Sequence, residues 1–392
     1  MKEYIGELVH LFVSVFIYNL SNFIVIPAIT DITMSAICPG TDQCSLAIYL
    51  SGFQQTITGI GALIITPIIG NLSDKHGRKA LLTFCVTISA LPKGMADKVQ
   101  EQRRASAFGV VTGVSAAGFV LGSLLARFTP TSFTFQLSAM GTMIAAVYMK
   151  FFLKESHAGS TDDNDLTALP QIASAWDMIA LLRSSETFLH AAIITFLFSF
   201  GDSGLQDSLL YYLKATFHYS KDQYAYFLLV VGVAAAFSQL VLMPLVVPSV
   251  GEENLLSMAL CANFVHIFLY SFAWNANVPY FAATFVIGSI FAHPCLRSII
   301  SKKVGPAEQG IAQGFISGVA CFANILAPLV ITPLTAVFLS ETPPFHFPGF
   351  SIFCVALIVV YAFVHSLIMR KSSHANLSIL IQKQRVDGYQ IV

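Results

Sequence analysis

The chain has 392 residues, of which 55% are hydrophobic and only 11% are charged, and its mean hydropathy is +0.71. Soluble domains carry about twice this charged fraction, so the composition excludes a single aqueous core and predicts a polytopic membrane protein. The 21 basic residues are balanced by 21 acidic ones, which excludes the positive charge that nucleic-acid binding requires.

Ten segments are long and apolar enough to cross a bilayer, because a helical span needs about 20 residues. A shorter apolar run at 80–92 is expected to remain a stub that does not cross. The predicted spans are 8–30, 45–70, 105–126, 132–153, 187–213, 223–248, 254–274, 279–300, 310–338 and 349–370. We therefore expect an all-α membrane protein with an N-terminal bundle at 1–153, a linker loop at 154–186, a six-helix bundle at 187–370 and a tail at 371–392.

Two cysteines lie six residues apart in the polar loop CPGTDQC, which follows the first predicted span. This spacing permits a disulfide between Cys38 and Cys44 if the loop faces an oxidising compartment. Two free thiols fit the sequence equally well.

The basic residues predict the orientation, because Lys and Arg favour the cytoplasmic side of a membrane. With both termini and the 154–186 loop inside, 18 of the 21 basic residues are cytoplasmic. The exceptions are Arg127, Lys214 and Lys221. If the stub crossed the membrane, the later basic residues would face outwards and the bias would be lost.

A charged turn interrupts the apolar sequence after the second predicted span and follows the pattern G-x-L-x-D-x-x-G-R-K. Basic side chains here would anchor the turn at an anionic lipid surface, and the carboxylate would suit the start of the next helix. A plain cytoplasmic loop would explain the two basic residues, but not the acidic residue between two glycines. The pattern's fixed positions are Gly70, Leu72, Asp74, Gly77, Arg78 and Lys79.

This turn resembles the loop between the second and third helices of the major facilitator superfamily. The stretches 96–113, 201–220 and 302–318 resemble the tetracycline-efflux-like branch and its hippocampus-abundant-transcript-like group. The resemblance implies twelve helices in two halves that rock against each other, with the charged turn as a cytoplasmic gate. This chain departs from that pattern, because the end of the third helix and the whole fourth helix are missing.

An internal repeat accompanies the resemblance. Residues 98–114 align without gaps on 303–319, with six identical positions in 17. Both copies run from a basic loop into a glycine-containing span, which favours duplication over convergence.

Polar residues inside spans are the candidates for a solute or proton site. Asp202 and Asp207 are five residues apart, so they face different sides of one helix, and Asp202 could carry a coupled proton. The alternative is that both lie in a helix-ending loop. Asn19 and Asn22 are three apart and could bind a polar solute or another helix.

His293 and Arg297 share a helix face, where they could form a second gate, bind an anion or reach the interface by snorkelling. Like Asn19 and Asn22, but as weaker candidates, Gln54, Gln55 and Gln239 could bind a polar solute or another helix. The glycines at 109, 113, 118 and 122 are expected to pack helices closely.

The sequence contains no HExxH, GxSxG, CxxC or phosphate-loop motif, so we expect no enzyme, no cofactor and no metal site. The predicted function is secondary transport of a small organic solute across a lipid bilayer by alternating access, with protons as a candidate coupling ion. The alternative is a shortened, transport-dead chain that acts as a membrane or interaction protein.

Overall fold

A computed structural model of the protein describes residues 2–40, 44–76, 104–152, 186–303 and 309–388. Within these ranges the regular structure is helical and no strand is present. The α-helices are α1 (Lys2–Phe23), α2 (Ile26–Ile37), α3 (Ser45–His76), α4 (Arg104–Phe128), α5 (Thr131–Phe152), α6 (Glu186–Phe217), α7 (Lys221–Phe237), α8 (Met243–Val250), α9 (Glu252–Ser271), α10 (Val278–Ala283), α11 (Val286–Ser289), α12 (Ala292–Lys303), α13 (Gln309–Phe338) and α14 (Phe350–Gly388).

The expected all-α membrane fold is confirmed. Each predicted span coincides with a described helix or with a run of consecutive short helices. Six segments of the second half are long and apolar enough to cross a membrane. In the first half α1, α3, α4 and α5 have 22, 32, 25 and 22 residues, which is also enough to span a bilayer. The crossing segments are Glu186–Phe217, Lys221–Val250, Glu252–Ser271, Val278–Lys303, Ala312–Phe338 and Phe350–Ser372.

Two helix boundaries differ from the sequence-based expectation. The first span is not continuous over 8–30, because α1 ends at Phe23 and α2 begins at Ile26 with a proline in its first turn. Proline lacks a backbone N–H and suits the first turn of a helix, which explains the new start. At the other end of the chain α14 continues to Gly388, through most of the expected tail. The stub at 80–92 and the linker at 154–185 lie outside the described residues.

The two halves repeat one packing pattern. Helix α1 packs against α4 and α5, and α6 packs in the same way against α13 and α14. Glycines on α4 allow the first of these contacts: a Cβ at Gly122 would lie 2.8 Å from the backbone oxygen of Leu20, and one at Gly118 would lie 2.9 Å from Asn19 Cβ. The packing is what a duplicated bundle predicts.

The halves meet along two helix pairs, α3 with α13 and α4 with α7, which we call the seam. One end of the bundle carries the disulfide between Cys38 and Cys44, whose Cα atoms are 6.1 Å apart. We call it the disulfide end, and we call the opposite end, where α3 reaches residues 70–76, the motif end. A buried cluster crosses the seam near the disulfide end, where Met34 and Ile48 of the first half join Leu209 and Tyr212 of the second.

Candidate functional site

A polar cavity of about 310 Å³ lies where α3 of the first half meets α6 and α13 of the second. Its position on the seam means that side chains of both halves contact the same partly open cavity. The lining residues are Gln54, Gln55, Thr58, Gly59, Asp202, Ser203, Gln206 and Asn324. The cavity brings together Asp202, Gln54 and Gln55 from among the residues that the sequence singles out.

The cavity lies at mid-membrane depth. Asp202 is 16 residues from Glu186 at one end of α6 and 15 from Phe217 at the other. At 1.5 Å per residue these intervals are about 24 and 22 Å. A carboxyl at this depth lies within the hydrocarbon thickness of a bilayer, where ionisable groups are costly and usually functional.

Most polar groups of the lining are not used by the protein itself. Within the described ranges the side chains of Gln54, Asp202, Ser203, Gln206 and Asn324 have no protein hydrogen-bond partner. Asp202 and Ser203 are half-buried, and the other three are exposed to the cavity. These groups are therefore available to a solute.

Glycine sets the distance between the cavity's two sides. A Cβ at Gly59 on α3 would lie 2.7 Å from Ile325 Cγ1 on α13, and one at Gly52 would lie 2.6 Å from Thr332 Cγ2. Contacts this short force the helices apart, so only glycine permits the observed approach. Because Ile325 follows Asn324 in the chain, the same contact fixes the cavity's width.

The two acidic residues of α6 have different environments. Asp202 lines the cavity, whereas Asp207 is buried with only 4% of its surface exposed. Neither oxygen of Asp207 has a hydrogen-bond partner of ordinary geometry in the described structure, although Gln55 and Asp202 are within electrostatic reach. Gly204, between Asp202 and Asp207 in the chain, packs closely on α13, where a Cβ at Gly204 would lie 2.9 Å from Ile331 Cγ1.

The asparagines of α1 do not line the cavity. Asn19 is buried, and its Nδ2 donates to the backbone oxygen of Val15 at 2.8 Å and to Ser115 Oγ on α4 at 3.3 Å. Asn22 is exposed, and its amide donates to the backbone oxygen of Tyr18. Asn19 thus joins two helices within the first half.

His293 and Arg297 lie on α12, beyond the cavity lining. The His293 ring meets the Phe198 ring edge-on at 4.8 Å between centroids. The backbone oxygen of Arg297 accepts a hydrogen bond from Gln313 Nε2 at 2.9 Å, and its guanidinium interacts with Cys321 on α13. Cys321 is three residues before Asn324, so Arg297 is about one helical turn from the lining.

The remaining candidate residues, Gln239 and those of the charged turn, are not among the described lining residues of the cavity. Gln239 lies in a short π-helical turn after α7 and donates to the backbone oxygen of Ile290 at 2.9 Å, so it joins two helices. In the charged turn, Gly70, Leu72 and Asp74 belong to the last part of α3. Gly77, Arg78 and Lys79 lie outside the described residues.

Two basic residues hold the seam together at the disulfide end. Lys221 Nζ donates to the backbone oxygen of Thr129 at 2.9 Å, and the Arg127 guanidinium lies 4.3 Å from the centroid of the Tyr226 ring. A third contact joins Ser45 Oγ to the backbone oxygen of Ala336 at 3.2 Å. Each contact links one half to the other.

Sequence reasoning missed five residues of the lining, Thr58, Gly59, Ser203, Gln206 and Asn324. It also missed the contacts of Arg127 and Lys221. The spacing of Asp202, Ser203 and Gln206 marks one polar face of an otherwise apolar helix, which would have predicted the lining. The two basic residues were noted only as exceptions to the expected orientation bias. Basic residues favour the cytoplasmic side, so the predicted position of Arg127 and Lys221 on the other side already indicated a specific role.

A family model described as Major Facilitator Superfamily matches residues 92–328, more than half of the chain. The chain belongs to the Major Facilitator Superfamily. Its seam pairs and repeated packing fit this family, in which two bundles face each other across a central solute pathway. Membership and the described spans make it an integral multi-pass membrane protein of a transporter family.

Relatives and solved structures agree with the assignment. The chain is 23% identical to Hippocampus abundant transcript-like protein 1 of Homo sapiens over 314 residues, which are 71% of this chain and 62% of that protein. It thus spans less than two thirds of this relative's length. Quinolone resistance protein NorA of Staphylococcus aureus (strain N315) is 23% identical over 361 residues, covering 80% of this chain and 90% of NorA.

Two crystal structures are similar in fold. The human organic anion transporter MFSD10 (TETRAN) superposes with a TM-score of 0.72 at 16% identity, covering 91% of this chain and 98% of that one. The E. coli fucose:proton symporter FucP superposes with a TM-score of 0.60 at 13% identity, covering 93% and 97%. At these identities the similarity concerns the fold.

Proposed function

We propose that the protein is a secondary transporter that moves a small polar solute through the cavity between its halves by alternating access. The observation that carries the proposal is the cavity itself: it lies on the seam, at mid-membrane depth, and presents polar groups that the described protein does not use. A rocking motion of the halves would expose these groups first to one side of the membrane and then to the other.

The contacts at the disulfide end support a state in which that end is closed. Lys221 with Thr129 and Arg127 with Tyr226 join the halves there, together with the buried cluster that crosses the seam. Such contacts must break before the cavity can open towards the disulfide end. At the motif end we propose that Asp74, Arg78 and Lys79 form the opposing gate, as the family resemblance implies.

The proposed orientation places the disulfide end outside the cytoplasm, with both termini inside. A disulfide is stable in an oxidising compartment, which supports this assignment for Cys38 and Cys44. The distribution of basic residues supports it independently.

Asp202 is the proposed site for a coupled proton. It is the only acidic residue among the cavity's lining residues, and no described cation neutralises it. A carboxyl that alternates between two aqueous sides can gain a proton on one side and release it on the other.

A single labelling experiment tests alternating access. Thr58→Cys is introduced in a background where every cysteine except Cys38 and Cys44 is alanine, and a membrane-impermeant maleimide is added to either face of sealed vesicles. We expect Thr58→Cys to react from both faces, because the cavity opens to each in turn. Met143→Cys on α5, which is 68% exposed on the apolar surface, should react from neither. Labelling of Thr58→Cys from one face alone would contradict the proposal.

One observation favours a transport-dead membrane protein as the second candidate. The second half holds α9 to α12 between α8 and α13, but the corresponding interval of the first half is only 77–103. In keeping with this, α3 exposes large apolar side chains along one face: Leu46, Tyr49, Leu50, Phe53, Ile57, Ile60 and Leu63. If the shorter chain is inactive, Thr58→Cys should be labelled from one face of the vesicles only. Inserting a helix pair in this interval should then allow labelling from the other face as well.

A further inference from the structure

The described lining of the cavity presents a negative charge to a solute. Among its lining residues Asp202 is the only ionisable side chain, and the others are amides, hydroxyls and a glycine. No described side chain donates a hydrogen bond to Asp202 or forms an ion pair with it. An ionised carboxylate at this depth needs a counter-charge, which the described lining does not contain.

The remaining polar groups of the lining can form hydrogen bonds with hydroxyl or N–H groups of a solute. Gln54, Gln206 and Asn324 each offer two N–H donors and a carbonyl acceptor, and Ser203 adds a hydroxyl. Because these groups have no protein partners in the described structure, a solute that lacked hydrogen-bonding groups would leave them unpaired at a cost. The cavity therefore disfavours a purely apolar cation.

The volume limits the size of the solute. A cavity of about 310 Å³ is at the lower end of small-molecule pockets and equals the space of about ten water molecules in the liquid. Gly59 keeps α3 and α13 at this spacing, since a Cβ there would overlap Ile325.

A positively charged residue of the described structure, Arg297, lies to one side of the lining. Arg297 interacts with Cys321, about one turn of α13 from Asn324 towards the motif end. Its positive charge disfavours a cation on that side, and Asp202 is the negatively charged residue of the described lining.

On the basis of the transport function proposed above, we propose that the solute is a small hydroxylated organic cation, with its ammonium group paired to Asp202 and its hydroxyl groups bonded to Gln54, Gln206 and Asn324. The carboxylate selects the charge, and the amides select a polar rather than an apolar body. The organic anion named for a structural neighbour would meet repulsion at this carboxylate.

Three six-carbon polyols that differ mainly in charge test this class: N-methylglucamine, a cation; sorbitol, which is neutral; and gluconate, an anion. Binding of each to the purified full chain in detergent is measured by calorimetry. We expect N-methylglucamine to bind at least about tenfold more tightly than sorbitol, because it forms a charge-assisted hydrogen bond with Asp202. Gluconate should bind most weakly of the three. Asp202→Asn should lower the affinity for N-methylglucamine about tenfold and leave that for sorbitol unchanged.

Asp222→Asn is the matched control, because Asp222 is an exposed carboxylate in the first turn of α7, outside the cavity. It should leave all three affinities unchanged. Absent binding of the cation, equal or tighter binding of sorbitol or gluconate, or no effect of Asp202→Asn would each overturn the proposed class. If the cation fails to bind but Thr58→Cys is labelled from both faces, the proposed solute class is wrong and the transport proposal stands. If the cation binds but Thr58→Cys is labelled from one face alone, the transport proposal is wrong and the solute class stands.

Discussion

The guanidinium of Arg127 lies 4.3 Å from the ring centroid of Tyr226, so a cation at the end of α4 rests on an aromatic ring of α7. The two residues belong to opposite halves of the molecule. The contact is therefore lost when the halves separate at the disulfide end, and its strength contributes directly to the balance between two conformations.

Tyr226→Leu should shift that balance towards opening at the disulfide end. An exposed cation–π contact contributes about 0.5–1 kcal/mol, which corresponds to a change of about two- to fivefold in the equilibrium. The rate of maleimide labelling of Thr58→Cys from the disulfide face should rise by this factor. Tyr226→Phe keeps an aromatic face and should label at the original rate; an equal increase in both variants would show that the ring contact is unimportant.

Gly59→Ala should destabilise the protein by separating α3 from α13. The new Cβ would lie 2.7 Å from Ile325 Cγ1, and overpacking of this kind costs about 1–3 kcal/mol. Thermal unfolding in detergent measures the loss. Gly61→Ala on the same helix is the matched control, because nothing lies within 4 Å of its Cβ. The double variant Gly59→Ala with Ile325→Ala should recover part of the loss if the overlap is the cause.

Asp207→Asn should increase the stability of the folded protein. Asp207 is 4% exposed and its oxygens have no described hydrogen-bond partner, so a charge at this position is costly to bury. Removing it should raise the free energy of unfolding by about 1 kcal/mol or more. A fall in the unfolding temperature would instead show that the carboxylate stabilises the folded protein.

Glu252, Ser298 and Lys302 form a cluster, and substitutions of Glu252 and Lys302 should lower the stability of the protein by unequal amounts. Glu252 Oε1 accepts from Ser298 Oγ at 2.6 Å and pairs with Lys302 Nζ at 2.9 Å, joining α9 to α12. The side chain of Glu252 is 9% exposed and that of Lys302 is 56% exposed. Glu252→Ala should therefore cost about 2–3 kcal/mol and Lys302→Met less than about 1 kcal/mol, measured by thermal unfolding. Equal losses would mean that the exposed ion pair dominates.

The sequence predicted the spans well because their length and apolar character follow from the thickness of the bilayer. It did not predict which side of each helix faces the cavity, since that depends on helix pairing. The spacing of Asp202 and Asp207 placed them on different sides of α6, but only the folded structure shows that Asp202 lines the cavity and that Asp207 is buried. Asn19 illustrates the same limit, because its partner Ser115 is 96 residues away in the chain.

The gate residues show a different limit. The motif at 70–79 was recognisable because its glycines and charges have fixed spacing. The contacts at the disulfide end use Arg127 and Tyr226, which have no pattern of their own and meet only in the folded protein. A local motif can be found by its spacing, whereas a contact between distant residues requires the tertiary structure.

Helix α14 runs for 39 residues from Phe350 to Gly388, a length of about 58 Å, whereas a hydrocarbon core is about 30 Å thick. Its apolar sequence ends at Met369, before Arg370 and Lys371, so the remaining 19 residues extend about 28 Å further as a continuous helix. A fluorophore attached near Gly388 would consequently be held at a set height above the lipid headgroups. Energy transfer to a dye in the bilayer could measure that height directly.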